Sequence, residues 1–182
     1  MRITAALLLV PTALLTLPPA HAQQAFTVSS TDLNAATPVG SAQVFDQDGC
    51  TGRNRSPQLS WSHPPPGTQA YAITMFDPDA PFGWWHWAVT GIPAGVTSLP
   101  TDASGAGLLQ RLGAREARND FGGAGYGGPC PPPGKPHHYV ITVYALGQGA
   151  SRVDAGQPAS AFKREIERLA LGSARLTVGY GR

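Results

Sequence analysis

The 182-residue chain carries 22 glycines and 18 prolines, residues that resist helix and sheet interiors, which argues against a helical bundle. Its hydrophobic content of 42% is that of an ordinary packed domain, and its glycine and proline content stops short of low-complexity disorder. Charged residues make up only 13%, and 13 basic against 11 acidic side chains leave a formal charge of +2. That balance lacks the basic excess of a nucleic-acid binder, so no nucleic-acid partner is expected.

Met1 and Arg2 give a short positive start, and Ile3 to Leu17 is an apolar run interrupted only by Thr4, Pro11, Thr12 and Thr16. Ala20-His21-Ala22 follows as a small-residue cleavage site. This is the layout of a secretory signal peptide over residues 1–22, cut after Ala22, with one domain over 23–182 and a periplasmic or secreted location. Pro11, Pro18 and Pro19 break the run before the roughly 20 residues that span a bilayer, so no transmembrane segment is expected after cleavage.

Export bears on Cys50 and Cys130. In an oxidising compartment two thiols are a disulfide candidate rather than a metal half-site, and neither lies in a C-x-x-C motif. Closing a loop of about 80 residues is worth on the order of 4 kcal/mol in the chain-entropy model. Two free buried thiols are the other reading.

Gln58 to Ser62 alternates apolar and polar residues, and Ala70 to Phe76 is a stronger β-like run, with Pro64-Pro65-Pro66-Gly67 as a stiff turn between them. Trp84 to Ile92 and Tyr139 to Leu146 are further strands, rich in aromatic and β-branched residues, and Arg175 to Tyr180 adds a short last one. One helix is predicted near the end, where Phe162, Ile166, Leu169 and Ala170 build an apolar face between Pro158 and Gly172.

Gly123-Ala124-Gly125-Tyr126-Gly127-Gly128 matches G-x-G-x-x-G, but Arg118-Asn119-Asp120 precedes it and Pro129-Cys130-Pro131-Pro132-Pro133 follows, which is not the strand and helix that a dinucleotide fingerprint needs. It reads as a loop whose glycine N–H groups could cradle an anion, or as a plain surface loop. Asn54-Arg55-Ser56 matches a glycosylation sequon with nothing beside it to support a eukaryotic secretory origin.

The densest chemistry is Asp77-Pro78-Asp79-Ala80-Pro81 at a strand end, with His86 nine residues after Asp77. Strand alternation puts His86 on one face with Ala88 and Thr90, and Trp85, Trp87 and Val89 on the other. In Pro136-His137-His138-Tyr139 the same rule puts His137 with Tyr139 and turns His138 away. Singly, Asp77 also reads as a turn former, His86 as a core histidine and His137 as a solvated strand start. Together they open three readings: a metal site, which lacks the close histidine pairs of zinc motifs; a hydrolase using the carboxylates as acid and base, which lacks a G-x-S-x-G elbow; and an anion pocket in which a neighbouring Asp raises a His pKa.

Asn54-Arg-Ser56-Pro57-Gln-Leu59-Ser-Trp61, Asp77-Pro-Asp79-Ala-Pro81, Gly83-Trp-Trp-His86-Trp87, Arg118-Asn-Asp120-Phe121-Gly122 and Tyr126-Gly-Gly128-Pro-Cys-Pro131-Pro132, leading to His137-His-Tyr139, occur in this order. Over roughly residues 26–182 the chain resembles the phosphatidylethanolamine-binding protein family, in its bacterial Raf-kinase-inhibitor-like branch. The resemblance implies a mainly β sandwich, a large sheet packed on a smaller one, with a C-terminal and other peripheral helices. It implies a small anion pocket formed by Asp77, Pro81, His86, Gly128 through its N–H, His137 and Tyr139, supported by Asp79 and Tyr126, with Asp79 orienting a histidine. The implied ligand is a phosphate-type anion or phospholipid headgroup, with no metal, cofactor or catalytic reaction, and some members act on a kinase or protease partner. An inhibitor working through its pocket rim, and a hydrolase or metal enzyme, are the alternatives. His138 stands where members often carry Arg, and the Pro131-Pro132-Pro133 run is a second departure. With two Asp and two neutral His, the pocket is expected to bind anions more tightly as pH falls from about 8 to about 6.

Overall fold

Apolar alternation and proline-bounded turns resolve into two antiparallel sheets in the computed structural model, which describes residues 24–148 and 154–182. The segment assigned to a signal peptide lies outside the described residues. Strands β1 (Thr27–Ser29), β2 (Leu59–Ser62) and β5 (Ser98–Leu99) form a small sheet in the order β1-β2-β5. The large sheet contains β3 (Ala70–Asp77), β4 (Trp84–Pro93), β6 (Arg115–Glu116), β7 (His137–Leu146) and β8 (Ala170–Tyr180), in the order β6-β4-β3-β7-β8. Helix α1 (Leu108–Arg111) is a single turn, and α2 (Ala159–Leu169) is the longer helix.

The large sheet is covered on both faces, which is why β3 reads as a nearly continuous apolar run. One face carries Tyr71, Ile73, Met75, Trp87, Val89, Ile141 and Val143, which meet Leu59, Trp61 and Leu99 of the small sheet in one core. Trp61 packs edge-on to Tyr71 at 5.2 Å between ring centroids. The other face carries Ala72, Ala88, Tyr144 and Leu146, and these receive Phe162 and Ile166 of α2. Alanines at positions 72 and 88 let the helix approach the sheet closely.

The expected helix is present, but its end differs from the reading of Ala170 and Gly172. The helix stops at Leu169, and Ala170 is already extended as the first residue of β8. Ten of the eleven residues of β8 pair along β7, from Leu146 opposite Ala170 to His137 opposite Tyr180, with Leu171 skipped at a register shift. This ladder outweighs the local helical pattern, so the strand begins five residues before Arg175. Gly172 is a strand residue where a Cβ would come within 2.8 Å of Pro65.

Candidate functional site

A cavity of about 280 Å³ opens at the end of the large sheet where β3 stops, β4 starts and β7 starts. Asp77, His86, His137 and Tyr139 all line it, and Pro81 forms part of its lip. Trp84, Phe121, Ala80, Asp48, Cys130, Pro131 and Pro132 complete the wall. Sequence reasoning puts the loop over residues 122–134, with Pro131 and Pro132, at the pocket rim but does not assign Trp84, Phe121, Ala80 or Asp48 to the site, although Trp84, Phe121 and Ala80 stand inside the motifs it singles out.

His86 reaches the cavity through an irregularity that alternation does not anticipate. Phe76 pairs with Trp85 and Met75 with Trp87, so His86 is an extra residue opposite one step of β3. Such a bulge turns two neighbours to the same side. Trp85 and Ala88 therefore pack toward α2, while His86 packs edge-on to Tyr139 and Phe121, on the side of Trp87. The expected sharing of a face by His86 and Ala88 is thus corrected.

Asp77 is buried, and both of its oxygens are engaged. Oδ1 accepts the N–H groups of Asp79 and Ala80, closing the turn that Pro78 and Pro81 stiffen, and Oδ2 accepts from His137 Nδ1 at 2.7 Å. Asp79 turns outward to His138, accepting both its N–H and its Nδ1 at 2.8 Å. These bonds hold the Asp79 carboxyl below the usual carboxylate range. One histidine of the pair thus lines the cavity, and the other is exposed, held by Asp79 and not among the lining residues.

The His86 imidazole is 2% exposed, and its Nδ1 lies 2.7 Å from the Gly127 carbonyl. A carbonyl only accepts, so Nδ1 carries the proton and Nε2 is the ring's remaining nitrogen. Burial pushes the His86 pKa below its ordinary value, against the opposing pull of Gly127, Asp77 and Asp120. The expectation that a neighbouring Asp raises a histidine pKa therefore fails at His86, where desolvation is the larger effect.

The glycine loop does not form the expected N–H cradle. Gly122 donates to the Asn119 carbonyl, Gly125 to that of Ala117, Gly127 to that of His86, and Gly128 to Asn54 Oδ1 at 2.8 Å. The Gly128 N–H is thus spent within the protein. Glycine is needed there for close approach, because a Cβ on Gly128 would lie 2.1 Å from the Gln43 carbonyl oxygen. Asn54, seen in the sequence only as part of a sequon, spans the loop with its side chain, also donating to the Tyr126 carbonyl. Tyr126 lies in the core beneath, with its ring against Trp87 and its hydroxyl donating to the Gln43 carbonyl.

Two residues that line the cavity each hold a buried polar atom without a partner among the described residues: the Trp84 Nε1–H and the Tyr139 hydroxyl. Burial and the charge of Asp77 raise the Tyr139 pKa, so its hydroxyl stays protonated and able to donate. Cys50 and Cys130 are bridged, which fastens the loop bearing Asp48 to the Pro131-Pro132 lip.

The family model for phosphatidylethanolamine-binding protein matches residues 36–181. YbcL of Escherichia coli K12 is 43% identical over 160 residues, covering 86% of this chain and 87% of its own. YbhB of the same organism is 38% identical over 151 residues, covering 81% and 95%. LppC of Mycobacterium tuberculosis, named as a candidate lipoprotein, is 36% identical over 175 residues, covering 87% and 80%. The crystal structure of YbcL, titled a new member of the mammalian PEBP family, superposes with a TM-score of 0.82 at 42% identity over 86% of this chain and 98% of that one. The family model and these matches agree, and the chain belongs to the phosphatidylethanolamine-binding protein family.

Proposed function

We propose that this is an exported binding protein that holds a phosphate-type anion or phospholipid headgroup in the cavity at the end of the large sheet, without turning it over. The observation that carries the reading is the pair of buried donors, Trp84 Nε1–H and Tyr139 hydroxyl, which belong to residues lining the cavity and have no partner among the described residues. A buried donor left unmade costs about 1–3 kcal/mol, and an oxygen-rich anion supplies acceptors to both. The volume of about 280 Å³ fits a headgroup rather than a whole lipid. Asp77 is fully occupied by the turn and by His137, which supports a positioning role over that of a free catalytic base. The disulfide and the similarity to LppC support export.

A thermal-shift series with phosphate, phosphorylethanolamine and divalent metals tests this, run on the intact chain and on His86→Ala and Tyr139→Phe. Stabilisation by the anions that weakens in both variants supports the reading. Stabilisation by metals alone would support a metal enzyme instead.

One observation favours a second reading, action on a kinase or protease partner through the rim. Phe82, beside the lip residue Pro81, is fully exposed and held at a φ of 65°. A bulky side chain kept in this conformation in water is an anchor suited to a protein pocket. Unchanged partner affinity in Phe82→Ser would remove it.

A further inference from the structure

The cavity wall presents an unusual combination for an anion site, and the combination specifies where the ligand carries its proton. Trp84 and Tyr139 offer donors. His86 offers the opposite. Its Nδ1–H is committed to the Gly127 carbonyl, which leaves the ring's lone pair on Nε2. Burial disfavours the charged ring, and a neutral ring protonated on Nδ1 can accept a proton from a ligand at Nε2. The charges facing this ring are Asp77 from β3, Asp120 from the loop beside β4, and His137 from β7, with Asp48 on the far lip. Asp77 Oδ2 is taken by His137, so it does not compete for a ligand proton. No lysine or arginine is among the lining residues. A dianion would therefore meet two carboxylates and an imidazole lone pair.

Resting on the headgroup-pocket reading above, we infer that the cavity selects the protonated, singly charged form of a phosphomonoester. The ligand gives a P–O–H proton to His86 Nε2 and accepts from the Tyr139 hydroxyl and the Trp84 indole N–H. A phosphodiester carries the same single charge but has no P–O–H, and sulfate is a dianion with acceptors only. Both leave the His86 lone pair buried against an oxygen.

Titration calorimetry on the intact chain with methyl phosphate, dimethyl phosphate and inorganic sulfate, at about pH 6 and about pH 8, tests the inference. A phosphomonoester has its second pKa near 6, so its monoanion falls from about half to about a hundredth of the total, and the methyl phosphate Kd should rise about 50-fold. Dimethyl phosphate and sulfate should bind about tenfold or more weakly than methyl phosphate at the lower pH, the size of one unmade buried hydrogen bond. His86→Gln, which can donate from its amide, should narrow the gap between sulfate and methyl phosphate, with circular dichroism to confirm folding. Phosphatidate in phosphatidylcholine vesicles, run beside soluble methyl phosphate, separates a lipid from a soluble source, and stronger binding of either at the lower pH supports the inference. Equal affinity for dimethyl phosphate and methyl phosphate at about pH 6 overturns it, as does an equal pH dependence of the two. Either result leaves anion binding standing. Loss of binding by every anion overturns the pocket reading itself.

Discussion

Asp77 Oδ2 and His137 Nδ1 stand 2.7 Å apart, joining the end of β3 to the start of β7 across the floor of the cavity. Because the carboxylate only accepts, it fixes the proton of His137 on Nδ1 and leaves the lone pair on Nε2. Asp77→Asn can put an amide donor opposite Nδ1, which then has to accept. The imidazole nitrogen shifts of His137 should report transfer of the proton to Nε2, and unfolding should be easier by about 2 kcal/mol, the scale of a charge-assisted hydrogen bond. Unchanged nitrogen shifts would mean that Asp77 does not set the tautomer.

His86 should leave a signature in stability against pH. Its folded pKa lies below the ordinary histidine value because the ring is buried. Above the unfolded pKa of about 6.5 both states are neutral and stability is full. As pH falls through that value the unfolded chain takes up a proton that the folded one refuses, and stability declines until the folded pKa is reached. Between about pH 7.5 and about pH 5.5 the loss attributable to His86 should be on the order of 1 kcal/mol. Urea unfolding of the wild type and His86→Asn at both pH values checks this, and the variant should lose that much less than the wild type.

Much of this molecule could be read from its residues, and the failures share a physical cause. Runs such as Ala70 to Phe76 announce strands because a sheet covered on both faces needs continuous apolar sequence. The aspartate and histidines of the cavity were visible because Pro78 and Pro81 mark a fixed turn beside them. The bulge at His86 was not visible, since it depends on how β4 registers against β3, a relationship absent from either strand alone. The start of β8 at Ala170 was hidden in the same way by pairing with β7. The glycine loop misled because its glycines serve close packing against Gln43 and Phe121, a demand set by neighbours distant in sequence.

That packing gives a direct test at Gly128. An added Cβ would lie 2.1 Å from the Gln43 carbonyl oxygen and 2.6 Å from the Phe45 nitrogen, backbone atoms that cannot rotate away. Gly128→Ala should destabilise by roughly 2 kcal/mol as the two loops separate. It should also weaken anion binding, because the adjoining Gly127 carbonyl holds His86. Urea unfolding and calorimetry on the variant measure the two effects, and a stability equal to wild type would show that the loops yield without cost.

The Cys50–Cys130 bridge closes a sequence separation of 80 residues, and in the chain-entropy model its loss costs on the order of 4 kcal/mol. Its local effect is narrower, because Arg182 ties the same two loops by donating to the carbonyls of Pro131 and Gly49. The Cys50→Ser, Cys130→Ser double variant should therefore fold, with a lowered urea midpoint. Its phosphorylethanolamine affinity should also fall, since Asp48, Pro131 and Pro132 form a lip that the bridge no longer clamps. Adding Arg182→Ala should deepen the affinity loss by removing the second tie. Affinity equal to wild type in the bridge-free protein would show that the disulfide stabilises the fold without shaping the pocket.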